Sequence, residues 1–252
     1  TGSLAVIGGT FQVYGQLHLQ ASSFTGGLMW VGDGGLYDNT GATVCQGALL
    51  SFASTSQLVN LGAYLQVITG TIQLHNNVLP QPVVPFNVTG GVLDLGNTDF
   101  TIPLLTQTGG TVTLTSTLTV TDTYRMSGGS MVSPVNGSIV AQSQFIADTP
   151  ADKAITGVFL DVVKSGSWVA GNIRGSTFAV IRVRANATWN VQATVAGYAM
   201  TTETVAAPPQ LLVYGQIVKS ASSVLATLGF SNVLDGQATL TVSSGTLALG
   251  GG

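Results

Sequence analysis

Asp148, Asp152 and Asp161 fall in one short stretch of the chain, and Lys164 follows them closely. Cleavage at a sugar uses two carboxylates a few ångströms apart, one to hand over a proton and one to attack or to activate water. These side chains could do that work, or hold a carbohydrate, if the fold carries them onto one face. A second group lies in Gly32-Asp33-Gly34-Gly35-Leu36-Tyr37-Asp38-Asn39-Thr40-Gly41. Asp33, Asp38 and Asn39 are hard oxygen ligands of the kind calcium takes. Their spacing is not that of a known calcium loop, and turn formation by Asp, Asn and Gly accounts for the same residues. Asp94 and Asp99 flank Leu95-Gly96-Asn97-Thr98 and read as corner caps. With only 10 acids in 252 residues, no catalytic residue and no metal or cofactor is assigned.

The remaining chemistry-bearing residues are few. Cys45 is the single cysteine, so an intrachain disulfide and a cysteine metal framework are both excluded, and a small buried strand residue is the expectation. His18 and His75 are the only imidazoles, and neither lies in a motif that pairs it with a nucleophile. Arg182 and Arg184 alternate with Ile181 and Val183, share one strand face, and are expected to bridge to acids of a neighbouring segment. Trp30, Trp168 and Trp189 would form a sugar-binding ramp only if the fold aligned them; core or corner packing is the commoner use. Asn87-Val88-Thr89, Asn136-Gly137-Ser138 and Asn186-Ala187-Thr188 are candidate N-glycosylation sequons, with Asn136 best placed in a turn by Pro134 and Gly137.

Composition limits the elements that could position these residues. Charged residues make up 7% of the chain, against about 25% in an average soluble domain. Amphipathic helices need a charged wet face, and this chain has almost nothing to build one from. Strands can use Ser, Thr, Gln and Asn instead. At 45% hydrophobic the chain can bury a sizeable core, which argues against disorder. Seven cations and a net charge of -3 cannot build a phosphate-binding stripe, so nucleic acid is not an expected partner. No apolar run reaches the length of a lipid-spanning helix. No signal peptide is visible, which reads as a mature or trimmed start.

The cadence is regular. Leu4-Ala5-Val6-Ile7 gives way to Gly8-Gly9, then Phe11-Gln12-Val13-Tyr14, Gly15, and Gln16-Leu17-His18-Leu19. It returns around Tyr64 to Leu74, at Trp189 to Val195, and from Ala238 to Leu249. Joints of one or two residues are too short for a crossover, and many lack the Asn-Gly or Asp-Gly of a tight hairpin. They are expected to bend the chain rather than reverse it, so that strands pair in parallel one coil apart. Thr111, Thr113, Thr115, Thr117, Thr119, Thr121 and Thr123 would share one face if their strand were unbroken, as on an ice-binding surface, but Ser116 suggests a corner. Val78 to Pro85 reads as an extruded loop, Asp148 to Lys153 as an exposed turn or short helical start, and Pro208-Pro209 as another loop. The expectation is one solenoid domain over 1–252, with sub-regions 1–147 and 148–252 marked by the cations that gather after residue 150.

Gly90-Gly91-Val92-Leu93-Asp94-Leu95-Gly96, Gly109-Gly110-Thr111-Val112-Thr113-Leu114 and Ser244-Gly245-Thr246-Leu247-Ala248-Leu249-Gly250 carry a resemblance. The chain resembles right-handed parallel β-helices, the fold of pectin-lyase-like enzymes, filamentous adhesins and autotransporter passengers. The likeness implies an all-β, three-sided coil with inward Leu, Val and Ile ladders. The chain departs from the enzyme branch in lacking an evident acid cluster, and from bacterial passengers in its low asparagine and charge.

The expected function is therefore a non-enzymatic structural or adhesive β-helix, extracellular or on a cell or virion surface. The start, Thr1 to Gly9, looks like the end, Ser244 to Gly251, and neither carries a charged cap. Copies of the chain itself are thus the expected partner, stacking end to end into a filament or surface layer. A carbohydrate-binding or carbohydrate-cleaving β-helix is the alternative, and a transmembrane β-barrel a further one.

Overall fold

A residue pattern of period two turns one neighbour inward and the next outward, and short runs of it separated by Gly, Ser or Asn cannot make anything longer than a short strand. The structure, a computed structural model, describes residues 2–53, 55–74, 84–193, 195, 197–203, 208–220 and 223–250. Its elements are strands, and they wind as a right-handed parallel β-helix of about 11 turns. The chain divides into two compact units, Thr1–Leu118 and Thr119–Gly252, and the change of composition near 150 lies inside the second.

In the first unit, Ser3–Val6 pairs in parallel with Ala21–Phe24, which pairs with the first part of Ala42–Phe52. Val6, Phe24, Cys45, Val67 and Val88 therefore occupy one inward row. Met29, Leu50, Ile72, Leu93 and Val112 form a second row, all fully buried. Gln16–Leu19, Leu36–Asn39 and Gln57–Leu61 make the third side. Each aliphatic side chain taken out of water in such a row contributes about 1.5–3 kcal/mol.

The second unit repeats the plan. Ser138–Ala141, Phe159–Val162, Val180–Val183, Gln210–Val213 and Ser231–Leu234 stack in parallel along one side. Gln144–Ala147, Ser165–Trp168, Thr188–Val191, Gln216–Lys219 and Thr239–Val242 stack along the next. Lys153–Thr156, Ile173–Ser176, Ala199–Thr202, Leu225–Leu228 and Thr246–Leu249 complete the coil. Strands that follow one another as antiparallel neighbours, the arrangement of a membrane barrel, are not how these units pair.

The corners bend as expected, and two devices hold them. At Gly91 the backbone is left-handed, φ 65°, and a Cβ there would run into the backbone of Gly70 one coil below. The Gly91 carbonyl meanwhile accepts from the amide of Thr111 at 2.8 Å, so both faces of the corner are occupied by backbone. Second, the last inward residue of a strand often donates to the carbonyl three residues on. Cys45 Sγ reaches Ala48 O at 3.2 Å, Gln107 Nε2 reaches Gly110 O at 3.3 Å, and Trp168 Nε1 reaches Gly171 O at 2.8 Å. Burial pushes the Cys45 thiol up in pKa, against the carbonyls that pull it down, so it stays protonated at neutral pH.

The threonine run is cut where Ser116 suggested. Thr111–Thr113 and Thr117–Met126 are separate strands, and the Oγ of Ser116 donates to Thr98 O at 2.6 Å. Thr111 and Thr113 lie beside Val92 and Asp94, whereas Thr123 lies beside Gln144, so the seven do not make one array. Asp148 to Lys153 is a bend, not a helix. His75 and most of the proline-rich stretch, 78–83, lie outside the described residues.

Candidate functional site

Asp148, Asp152 and Asp161 are not brought together. Each is held by arginine from an adjacent rung. Asp148 meets Arg125 at 2.5 Å and accepts from Ser127 Oγ at 2.6 Å. Asp152 pairs with Arg174 and accepts from Asn172 Nδ2 at 2.8 Å. Asp161, on the strand Phe159–Val162, lies in register opposite Arg182 on Val180–Val183. Lys164 is exposed at the next corner and has no ion pair among the described residues. Lys153 turns inward instead, because it is in phase with Ile155.

The Asp161 cluster is the densest charge constellation of the second unit. The carboxylate is 2% exposed, while the side chains of Arg182 and Arg184 remain 40% and 48% exposed. Arg182 donates from Nε to Oδ1 at 3.1 Å and from Nη2 to Oδ2 at 2.7 Å. Arg184 donates from Nε to Oδ2 at 2.8 Å and also from Nη2 to that oxygen. Burial alone would raise the Asp161 carboxyl, but the hydrogen bonds and charges of Arg184 and Arg182 outweigh it and hold the group below the usual carboxylate range. The carboxylate in turn raises Arg184 further. Two guanidiniums are thus locked in place over one hidden anion, facing a shallow hollow that Tyr214 also lines.

The second unit also exposes apolar side chains along its last described coil. In its last described coil, Leu240 follows buried Ile217 in register, Leu234 follows buried Val213, and Leu249 follows buried Leu228. Val242 follows buried Lys219. These four side chains continue inward rows, yet they are 43–46% exposed. In the first unit, Ile7 at the first corner is 78% exposed.

No family model, no curated protein and no solved structure matches this chain, which leaves its geometry as the guide to function.

The other sequence candidates are scattered. Asp33 accepts from Thr55 Oγ1 at 2.6 Å, Asp38 pairs with His18 Nδ1 at 2.9 Å on the outer face, and Asn39 points inward, so the three oxygens do not converge. Asp94 accepts from the Gly96 amide at 3.1 Å and Asp99 from the Thr117 amide at 2.8 Å, the corner caps expected of them. Trp168 and Trp189 are fully buried, and only Trp30 lies outward, with Tyr14 edge-on at 6.0 Å. Trp189 lies over Gly166, where a Cβ would meet its ring at 2.5 Å, and stacks on Phe145 at 5.8 Å. Among the sequons, Asn136 and Asn186 stand at exposed corners with φ 63° and 66°. Asn87 is half-buried on Phe86–Val88, and its Oδ1 is buried without a hydrogen-bond partner among the described residues.

Sequence reasoning missed Tyr214 and the inward Lys153. Val13-Tyr14-Gly15-Gln16 and Val213-Tyr214-Gly215-Gln216 are the same tetrapeptide, and both tyrosines stand at corners, 62% and 43% exposed. That repeat was a usable signal.

Proposed function

We propose that this protein is a non-enzymatic structural or adhesive β-helix that works outside the cell or on a cell or virion surface, and that copies add to one another edge to edge. The observation that carries the reading is the last described coil, where Leu234, Leu240, Val242 and Leu249 continue inward rows and yet are 43–46% exposed. An uncovered parallel edge offers unpaired backbone groups beside an apolar strip, which is a template for one more rung. A contact between unlike surfaces of two copies repeats, as a filament where the rotation between copies does not close. Few charges are present to keep such edges apart, at 7% of the chain. A structural role is further supported by the arginine partners of Asp148, Asp152 and Asp161, which leave these acids as rung-to-rung ties.

Sedimentation velocity over a range of concentrations tests this. Wild type should form concentration-dependent oligomers, and Leu240→Lys with Val242→Lys should remain monomeric with an unchanged circular dichroism spectrum. A monomer at every concentration, or oligomers that survive the double substitution, would overturn the reading.

A further inference from the structure

One positive charge of the Asp161 cluster is left over. Asp161 supplies one negative charge to two guanidiniums, and the Nη1 of both Arg182 and Arg184 has no partner among the described residues. Because the carboxylate lies behind them, 2% exposed, the pair is already held in place and faces outward. Little rotamer freedom remains to be lost when something binds. In front is a hollow of about 330 Å³ lined by Arg182, Arg184 and Tyr214. A second hollow, of about 220 Å³, shares Tyr214 and is walled by neutral amides, among them Asn186, Gln216 and Gln237. Tyr214 stands at their junction and is 43% exposed.

A planar cationic fork, an aromatic surface and a bank of neutral amides lie side by side. Guanidiniums match a carboxylate in shape and charge. A tyrosine ring offers flat apolar area with a wet rim. Side-chain amides both donate to and accept from hydroxyls. The geometry points to a binding site for an acidic saccharide unit, with its carboxylate on Arg182 and Arg184, its ring on Tyr214 and its hydroxyls toward Asn186, Gln216 and Gln237. An inorganic anion would use the arginines and leave the tyrosine and the amide bank idle. All of the lining comes from one chain, Arg182, Arg184 and Tyr214 from earlier coils and Gln237 from the last described coil, so the site needs no residue of a second copy.

Titration calorimetry of the whole chain with sialyllactose and tri-galacturonate, beside neutral lactose and maltotriose, tests the assignment. At least one acidic probe should bind and the neutral sugars should not. Arg184→Gln should weaken that binding about tenfold or more, the loss expected of a charge-assisted contact. Tyr214→Ala should weaken it about fivefold or more. Circular dichroism identifies a variant that has failed to fold, and Tyr214→Ala stands in should Arg184→Gln do so. Failure of both acidic probes to bind, equal binding of neutral sugars, or displacement by acetate with Tyr214→Ala without effect would overturn the proposal. The last outcome would mark a bare anion site. Binding that persists in the monomeric Leu240→Lys, Val242→Lys protein would separate this site from the assembly reading.

Discussion

Both units turn polar side chains into their interiors, but they solve the resulting problem differently. In the first, the inward polar groups are neutral and complete one another. Tyr37 OH lies 2.7 Å from Ser22 Oγ and 3.0 Å from Thr43 Oγ1, Asn39 Nδ2 donates to Thr43 Oγ1 at 2.8 Å and Ala42 O at 2.9 Å, and Thr43 Oγ1 donates to Leu61 O at 2.7 Å. In the second, the inward polar groups include two cations, Lys153 and Lys219. Lys153 is fully buried and spends its three N–H bonds on the carbonyls of Thr149 at 2.9 Å, Ala151 at 2.7 Å and Ala170 at 3.0 Å. Burial lowers its pKa to about 8, against the pull of Asp148 and Asp152, which raise it. A neutral cluster is indifferent to pH until its tyrosine ionises, near 10 in the unfolded chain and higher in the buried Tyr37, whereas a caged cation makes stability answer to pH from about 8.

The comparison can be broken most severely at Asn39. Asn39→Leu strips a donor from two hydroxyls and a carbonyl and should cost about 3 kcal/mol in urea unfolding, with the deficit unchanged between about pH 7 and 9, below the range where tyrosine ionises. Lys153→Met leaves three carbonyls without their donor while removing the cost of a buried charge, and about 2 kcal/mol of net loss at pH 7 is expected.

That second deficit should move with pH. The folded lysine gives up its proton from about pH 8, while the unfolded chain holds its own until near 10.5. Between those values the unfolded state binds more protons, so wild type gains stability as pH rises. The gap between wild type and Lys153→Met should therefore widen across that window, and a gap that narrows would show that the carbonyl cage, rather than burial, governs the amine. The smallest effect belongs to Tyr37→Phe, which removes one hydroxyl from a cluster whose other members still bond one another. About 1 kcal/mol in the unfolding midpoint is expected.

The corners, the parallel pairing and the inward phase of each strand were legible because they depend on local residues. The glycine joints announced bends, Ser116 announced a break in the threonine run, and Asp94 announced its cap at Gly96. That Arg182 and Arg184 would bridge to an acid of a neighbouring coil was legible, but which acid was not. Asp161 meets Arg182 only because the intervening corners have the lengths they have, and no local rule fixes those lengths. Lys153 was misjudged for another reason: its charge suggested an outward position, although its phase with buried Ile155 already placed it inside.

Register varies along the chain. Ser3 sits opposite Ala21, yet Val180 sits opposite Gln210, a much longer step, and both pairs keep the aliphatic rows aligned. Extra residues are absorbed where the chain bends, as between Val183 and Thr188, so length there is free to drift under mutation. A single inserted residue inside a strand such as Val180–Val183 would instead turn Ile181 and Val183 out to water and their neighbours in. Natural variants of this sequence should accordingly gain and lose residues at the bends and almost nowhere else.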